Sequence, residues 1–363
     1  MPGALHGLTI VEMAGLGPGP FAGMMLADHG ARVIRVERAG MIGVPNDPLL
    51  RNRESIALDL RQNEGRDIVR KLAATADGLI EGYRPGVMER LRLGPDVLCA
   101  ANPKLVYGRV TGWGQEGPLA QAAGHDINYL ALTGLLSAVG EKDRPPVPPL
   151  NLVADYGGGG LMLAFGMVAA LLACQRTGEG QVIDAAMTDG AALTGALIYG
   201  LRAAGLWRDE RASNLLDGGD PIYGCYTCAD GKALSVGAIE PQFRAAFYTE
   251  LGLAPGADRD AIAAVLATRT RDEWATRFSD KDACVAPVLG LGEAPDHPHN
   301  VARETFVEVG GVTQPAPAPR LGRTPASIAH GPRREGEDGA AILGALGYDE
   351  AAVAALRTKG VLL

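Results

Sequence analysis

The first half of the chain alternates strand-like apolar runs with helical segments, and this alternation limits the folds that the chain can adopt. Strands that alternate with helices predict a parallel, doubly wound sheet whose strands are joined by crossover helices. We therefore expect an α/β fold with a Rossmann-like large domain. Its strands are predicted at residues 8–14, 31–38, 78–83, 105–113 and 181–187.

A smaller α+β domain is predicted where this alternation stops, near Arg208. A hairpin over 223–238, with its turn at Asp230 and Gly231, precedes three helices. The chain has 363 residues, too many for one ordinary core. The predicted division is a large domain over 1–190 and 320–363, a linker helix over 191–220, a small domain over 221–300 and a linker over 301–319.

Composition excludes several classes of function. The net charge of −8 argues against nucleic-acid binding, and the sequence lacks a polybasic cluster for a membrane surface. The longest uncharged apolar run, 161–174, is short for a membrane span and predicts a buried core helix. Five cysteines fit a reducing compartment, and no signal peptide is visible, so we expect a cytoplasmic protein.

Two motifs resemble cofactor sites but predict none. Cys225 and Cys228 lie three apart on a predicted strand, so they point to opposite faces and indicate no metal or redox pair. In "GLGPGPFAG" the third glycine of a dinucleotide fingerprint is replaced by Pro20, and Pro18 and Pro20 lack N–H donors for a phosphate. We expect no metal and no nicotinamide or other redox cofactor.

Arginines follow several predicted strands. Parallel strands of an open α/β sheet bring their carboxyl ends to one edge, where ligands bind. Arginines at that edge could hold phosphates with bidentate bonds, or they could be solvated surface residues. The spacing of these arginines in the sequence favours neither interpretation. The residues concerned are Arg38, Arg61, Arg84, Arg90 and Arg92.

Three titratable residues lie where a helix is predicted to begin. His125 precedes the run "DINYLAL", Asp155 precedes four glycines, and Glu240 precedes "PQF". Each has an ordinary interpretation as a capping or first-turn residue. None of the three indicates a catalytic site by itself.

A resemblance is carried by four motifs, together with the opening run 7–38 and the closing run 346–362. The motifs are "EGYRPGVMERLRLGP", "GHDINYLAL", "PPLNLVADYGGGG" and "VGAIEPQF". They resemble the α-methylacyl-CoA racemase branch of the class III CoA-transferase (CaiB/BaiF) family, and the resemblance covers nearly the whole chain. It implies an interlocked homodimer. Each active site would lie between the large domain of one chain and the small domain of the other.

The resemblance also implies roles for individual residues. His125 and Asp155 would be opposing acid/base groups, and Glu240 of the partner chain would orient His125. The coenzyme A moiety and its thioester would contact Arg38, Leu58, Asp59, Leu60, Arg61, Gly82, Tyr83, Arg84, Arg90, Gly124, Asp126 and Tyr129.

The implied reaction inverts the C2 stereocentre of a 2-methylacyl-CoA thioester through an enolate, as in fatty acid and sterol side-chain metabolism. Two bases on opposite sides of one carbon can perform that proton transfer. The alternative is a family III CoA-transferase with Asp155 as its nucleophile. His125 together with Glu240 favours the racemase. His125, Asp155 and Glu240 together argue against a non-catalytic CoA-binding or scaffold protein. CoA is then part of the substrate, no cofactor is needed, and the acyl group stays open.

Overall fold

Six parallel strands form the main sheet. The computed structural model describes residues 3–38, 40 and 44–363. The sheet has the order β3-β2-β1-β4-β5-β6, and every neighbouring pair is parallel. This confirms the predicted doubly wound fold. The strands are β1 (Thr9–Met13), β2 (Arg32–Glu37), β3 (Arg53–Ala57), β4 (Gly78–Glu81), β5 (Val106–Thr111) and β6 (Val182–Ala186).

The strand order reverses between β1 and β4. The chain runs from β1 outward to β2 and β3, and then returns to place β4 on the other side of β1. Loops that leave β1 and β4 therefore diverge to opposite sides of the sheet and open a crevice at its carboxyl edge. The fold itself thus marks this edge as the place for a ligand.

Fourteen α-helices occur in the part of the chain that the structure describes. They are α1 (Pro18–Asp28), α2 (Asn63–Thr75), α3 (Val87–Arg90), α4 (Pro95–Ala101), α5 (Asp126–Leu132), α6 (Met162–Thr177), α7 (Met187–Thr194), α8 (Ala196–Ala203), α9 (Pro241–Leu251), α10 (Arg259–Leu266), α11 (Arg271–Phe278), α12 (Pro298–Ala302), α13 (Gly339–Ala345) and α14 (Glu350–Thr358). Short 3-10 turns lie at Pro48–Leu50, Leu135–Ala138 and Ala294–Asp296.

The chain divides into two compact units. The first contains the described residues of 1–133 together with 149–195 and 304–363, and the second contains 134–148 and 196–303. The C-terminus belongs to the first unit, where the Leu363 N–H donates to the Ala57 carbonyl at 3.0 Å. The predicted domain boundaries stay a prediction. The largest difference is the segment 134–148, which was predicted in the large domain and belongs to the second unit.

The second unit has its own antiparallel sheet of β7 (Tyr223–Thr227), β8 (Ala233–Gly237) and β9 (Val285–Pro287). Its core includes Phe247 and Trp274. The β7–β8 hairpin forms as predicted, with Gly231 in the left-handed region at its turn. Cys225 is exposed and Cys228 is buried, so the two thiols do not form a pair. A separate hairpin of β10 (Phe306–Val309) and β11 (Val312–Pro315) lies in the first unit.

Two helix predictions were wrong in their bounds. The run 126–140, "DINYLALTGLLSAVG", is predicted as one helix, but α5 ends at Leu132 because Gly134 adopts a left-handed φ of 76°. The helix predicted after the four glycines instead begins before Asp155, because a π-helical segment, Leu152–Leu161, contains those glycines and runs into α6.

The continuous helix Leu152–Thr177 is only partly a core helix. Its 26 residues are long and apolar enough to cross a membrane by length and composition, a test that core helices also pass. Leu163 and Met167 are buried, whereas Phe165 is 71% exposed and Leu172 is also exposed. The prediction of a buried core helix over 161–174 is therefore correct for the face with Leu163 and Met167 and wrong for the face with Phe165 and Leu172.

The glycines of the π-helical segment permit close helix packing. A Cβ atom on Gly190 of α7 would lie 1.9 Å from the Gly158 carbonyl oxygen, and one on Gly160 would lie 2.9 Å from the Pro18 carbonyl oxygen. Backbone atoms of α1 and α7 therefore lie directly against this segment. This packing fixes the helical turn that carries Asp155.

We expect Gly190→Ala to lower the free energy of unfolding by about 1–3 kcal/mol, because the new methyl group has no room. Gly200→Ala is the matched control: Gly200 lies within α8 with nothing within 4 Å of an added Cβ, so alanine is tolerated there. Urea denaturation of both variants measures the difference. Equal stability of the two variants would contradict the packing described here.

Candidate active site

A cavity of about 340 Å³ opens at the carboxyl edge of the sheet, in the first unit. Loops after β1, β4 and β5 supply most of its wall, as the strand order requires. His125 and Asp155, which are 30 residues apart in the sequence, both line it. Other lining residues include Gly17, Gly82, Tyr83, Arg84, Gly112, Trp113, Gly124, Tyr129 and Met187.

His125 occupies the position immediately before α5. Its backbone is extended, and its N–H donates to Asn128 Oδ1 at 3.0 Å. Tyr129 fixes the preceding turn, because its hydroxyl donates to the Gly124 carbonyl and its ring packs edge-on against Trp113 at 4.8 Å. The imidazole itself is exposed. The loop therefore holds the His125 backbone firmly while it leaves the ring accessible.

Asp155 lies half-buried inside the π-helical segment. Asn151 Nδ2 donates to its Oδ2 at 3.5 Å, and a Cβ on Gly17 would lie 3.4 Å from the same oxygen. Burial raises the pKa of the Asp155 carboxyl; the bond from Asn151 opposes this rise, the charge of Asp126 adds to it and His125 opposes it. The protonated form of Asp155 is therefore more accessible than that of an ordinary aspartate.

Asp155 is not the helix cap that its sequence position allows. The capping role falls to Asp126, whose Oδ2 accepts the N–H groups of Ala154 and Asp155, each at 2.8 Å. Asp126 is buried, so its side chain does not line the cavity. Its backbone N–H begins α5, where no carbonyl of the preceding turn is available to it.

A second cavity, of about 590 Å³, also has Tyr83 in its wall. Tyr83 lines both cavities, so the two adjoin at this residue. Other residues for which the resemblance implies CoA contacts line the second cavity: Arg38, Leu58, Asp59, Leu60 and Arg61.

The remaining candidates for CoA contact divide into three groups. Gly82, Arg84, Gly124 and Tyr129 line the first cavity. Arg90 ends α3 and is exposed, but it lines neither cavity. Asp126 could contact a ligand only through its backbone.

Positive charge lies at the rim of the second cavity. The Arg61 side chain is 91% exposed and pairs with Asp59 at 2.9 Å. The hydrogen bond from the Arg61 side chain lowers the pKa of Asp59 to about 2, so this carboxylate stays ionised near neutral pH. Arg38 is also exposed at this rim. The cavity therefore combines apolar walls with guanidinium groups at its mouth, which suits a phosphorylated ligand.

Glu240 belongs to the second unit. It is the residue before α9, it is exposed, and its side chain makes no capping bond to the helix. The carboxylate is thus not used as a first-turn cap, which was its ordinary interpretation.

Sequence reasoning missed several residues of the first cavity. The sequence indicates Gly17 only as part of a dinucleotide fingerprint, although the structure has it beside the Asp155 carboxylate. No sequence motif indicates Trp113 or Met187 as site residues. The one available signal was their position just after β1, β5 and β6. Among the described residues, no three His, Cys, Asp or Glu side chains are grouped so as to hold a metal ion.

Residues 5–339 match CoA-transferase family III. The chain belongs to this family. It is 48% identical over 335 residues to alpha-methylacyl-CoA racemase of Mus musculus, covering 89% of this chain and 87% of that protein. The corresponding protein of Homo sapiens is 45% identical over 337 residues, covering 89% and 88%. The crystal structure of a CaiB/BaiF family protein from Brucella suis superposes with a TM-score of 0.82 at 27% identity, covering 95% of this chain and all of that one.

We expect Tyr129→Phe to loosen the turn before His125, because the variant loses the bond to Gly124. Tyr107→Phe is the matched control, since the Tyr107 hydroxyl donates to the Leu93 carbonyl at 3.0 Å in the core. Each variant should lose about 0.5–1.5 kcal/mol of stability. Only Tyr129→Phe should accelerate amide hydrogen exchange in residues 122–128. Unchanged exchange there would show that the hydroxyl does not hold this turn.

Proposed function

We propose that the chain is an α-methylacyl-CoA racemase. The observation that carries this proposal is that an imidazole and a carboxyl group of raised pKa, from His125 and Asp155, line one cavity. Similarity to the mouse and human racemases supports the same activity. The substrate class is therefore a 2-methylacyl-CoA thioester, and the reaction inverts its C2 stereocentre.

The mechanism moves one proton at each face of C2. For one enantiomer, neutral His125 removes the C2 proton while protonated Asp155 delivers a proton to the opposite face. For the other enantiomer, the Asp155 carboxylate removes the proton and the His125 imidazolium delivers one. The burial that raises the pKa of Asp155 supports this cycle, because the carboxyl group must carry the proton in half of it.

The intermediate is an enolate, whose oxygen carries the charge left by the proton. The backbone N–H of Asp126, at the start of α5, is the donor that we assign to this oxygen. Removal of one such donor typically costs about 3 kcal/mol of barrier. His125 is the neighbouring residue, so one turn of chain would both move the proton and stabilise the charge.

The two adjoining cavities divide the substrate between them. The thioester would lie in the first cavity, and the CoA moiety would extend past Tyr83 into the second. Arg38 and Arg61 would meet its phosphates. CoA then enters as part of the substrate, and the proton transfer needs no metal or redox cofactor. The location that we propose is cytoplasmic.

The functional assembly that we propose is an interlocked homodimer. The exposure of His125 in a single chain leaves room for a partner carboxylate, and Glu240 is an exposed carboxylate without a capping role. Glu240 of one chain would accept a hydrogen bond from His125 of the other and orient its ring. Exposed Phe165 and Leu172 on α6 provide apolar surface for such an assembly.

We expect His125→Ala and Asp155→Asn each to slow racemisation by at least about 100-fold, because each removes one of two bases. In deuterated buffer without an acceptor acid, each variant should still exchange the C2 proton of one enantiomer, and the two variants should retain opposite enantiomers. His299→Ala, at an exposed histidine of α12, is the control and should keep both exchanges.

Exchange lost for the same enantiomer in both variants would contradict the two-base assignment. A wild-type protein that exchanges neither enantiomer, yet transfers CoA to an acid, would be a CoA-transferase with Asp155 as its nucleophile.

Mixing two variants, each without one residue of the proposed site and each expected to have little activity, tests the shared site. His125→Ala and Glu240→Ala proteins, refolded together in equal amounts, should recover about a quarter of wild-type activity, because half of the dimers are mixed and each holds one complete site. The measurement is racemisation before and after mixing. No recovery would contradict a site built from two chains.

A further inference from the structure

The carboxylate of Asp126 connects the two segments that carry the proposed acid/base pair. Asp126 follows His125 in the sequence, and its Oδ2 accepts the N–H of Asp155 itself and that of Ala154, each at 2.8 Å. Asp126 is buried, with only 5% of the residue exposed. A single residue thus joins one member of the pair by a peptide bond and the other by a hydrogen bond.

We propose that the Asp126 side chain is a positioning residue that sets the separation of His125 and Asp155. This rests on the proposed racemase function. Two groups that act on opposite faces of one carbon must keep a fixed spacing, and a displacement of 1 Å can cost about 100-fold in rate. The bonds to Asp126 provide that constraint, because a shift of the π-helical segment away from α5 would break both of them.

The same carboxylate also acts on Asp155 through its charge. Asp126 Oδ1 is buried without a hydrogen-bond partner among the described residues, so little screens its charge. Other polar or titratable groups near Asp155 come from three parts of the described chain. His125 and Tyr129 come from the loop and α5, Arg84 from the loop after β4, and Asn151 from the π-helical segment. Facing residues of α1 and α7 are apolar or glycine, and Asp189 of α7 is exposed.

A purely structural helix cap would have the same contacts, so the test needs a matched control. Asp77 supplies it: its Oδ2 accepts the Thr9 N–H at 2.8 Å and links two segments of the same unit outside both cavities. Removal of either carboxylate takes away a bond from side chain to backbone. Of these two carboxylates, only that of Asp126 accepts hydrogen bonds from the segment that contains Asp155.

The experiment compares Asp126→Ala and Asp126→Asn with Asp77→Ala and Asp77→Asn. Asp126→Ala should lower kcat for racemisation by about 100-fold while KM changes less than about 3-fold, because the residues of the second cavity are untouched. Asp126→Asn should recover about 10-fold or more of that loss, since an amide oxygen also accepts two N–H groups. The Asp77 variants should keep kcat within about 3-fold.

The pH profile separates position from charge. In Asp126→Asn the acid limb of kcat should move to lower pH, because the negative charge that adds to the rise in the pKa of Asp155 is gone. Asp77→Asn should leave this limb in place. Equal losses of kcat in the alanine and asparagine variants, with an unmoved acid limb, would overturn the proposal.

Amide hydrogen exchange provides a readout that does not depend on activity. Residues 152–157 should exchange faster in Asp126→Ala and not in Asp77→Ala. If the wild-type protein racemised nothing, the proposed function would fail, yet faster exchange would still show that Asp126 holds the Asp155 segment. Unchanged exchange at 152–157 would overturn the positioning role whatever the reaction is.

Discussion

The parallel alignment of six strands is the constraint on which the candidate site depends. Because all strands end at one edge, loops that are distant in the sequence meet there, and the reversal between β1 and β4 opens a crevice between them. The first cavity lies in that crevice, and the second lies beside it near the ends of β2 and β3. The sheet thus brings the proposed proton-transfer groups and the proposed phosphate-binding arginines to one edge, although the loops that carry them are far apart in the sequence.

Buried charge stabilises the wall of this crevice. Glu12 pairs with Arg35 and Arg53 inside the sheet, and these arginines donate to the carbonyls of Gly15 and Pro20. Gly15 lies in the turn between β1 and α1, whose Gly17 lies beside Asp155, and Pro20 lies in the first turn of α1. Buried ion pairs are costly unless every partner is satisfied, and loss of one partner costs about 3–5 kcal/mol. Here the two guanidinium groups hold the turn after β1 and the first turn of α1 through hydrogen bonds to their carbonyls. Apolar side chains in their place could not form these bonds.

The sequence predicted the parts of this structure that depend on local pattern. The alternation of strands and helices was sufficient to predict the parallel sheet. The pair Asp230-Gly231 was sufficient to predict the turn between β7 and β8. His125 and Asp155 were ambiguous separately, and only the family resemblance joined them. The Asp126 carboxylate could not be predicted in its role, because its partners are 28 and 29 residues away and are backbone groups. The position of Asp155 inside a π-helical segment was missed because four glycines favour a helix start after them.

The central claim is geometric: the side chains of His125 and Asp155 lie on opposite faces of one substrate carbon. A crystal structure of the protein with a bound 2-methylacyl-CoA ester tests this most directly. The account predicts C2 of the acyl group between an imidazole nitrogen and a carboxylate oxygen, each about 3–3.5 Å away. The account would be contradicted if both groups lay on the same face of C2. It would also be contradicted if the acyl group were bound outside the first cavity.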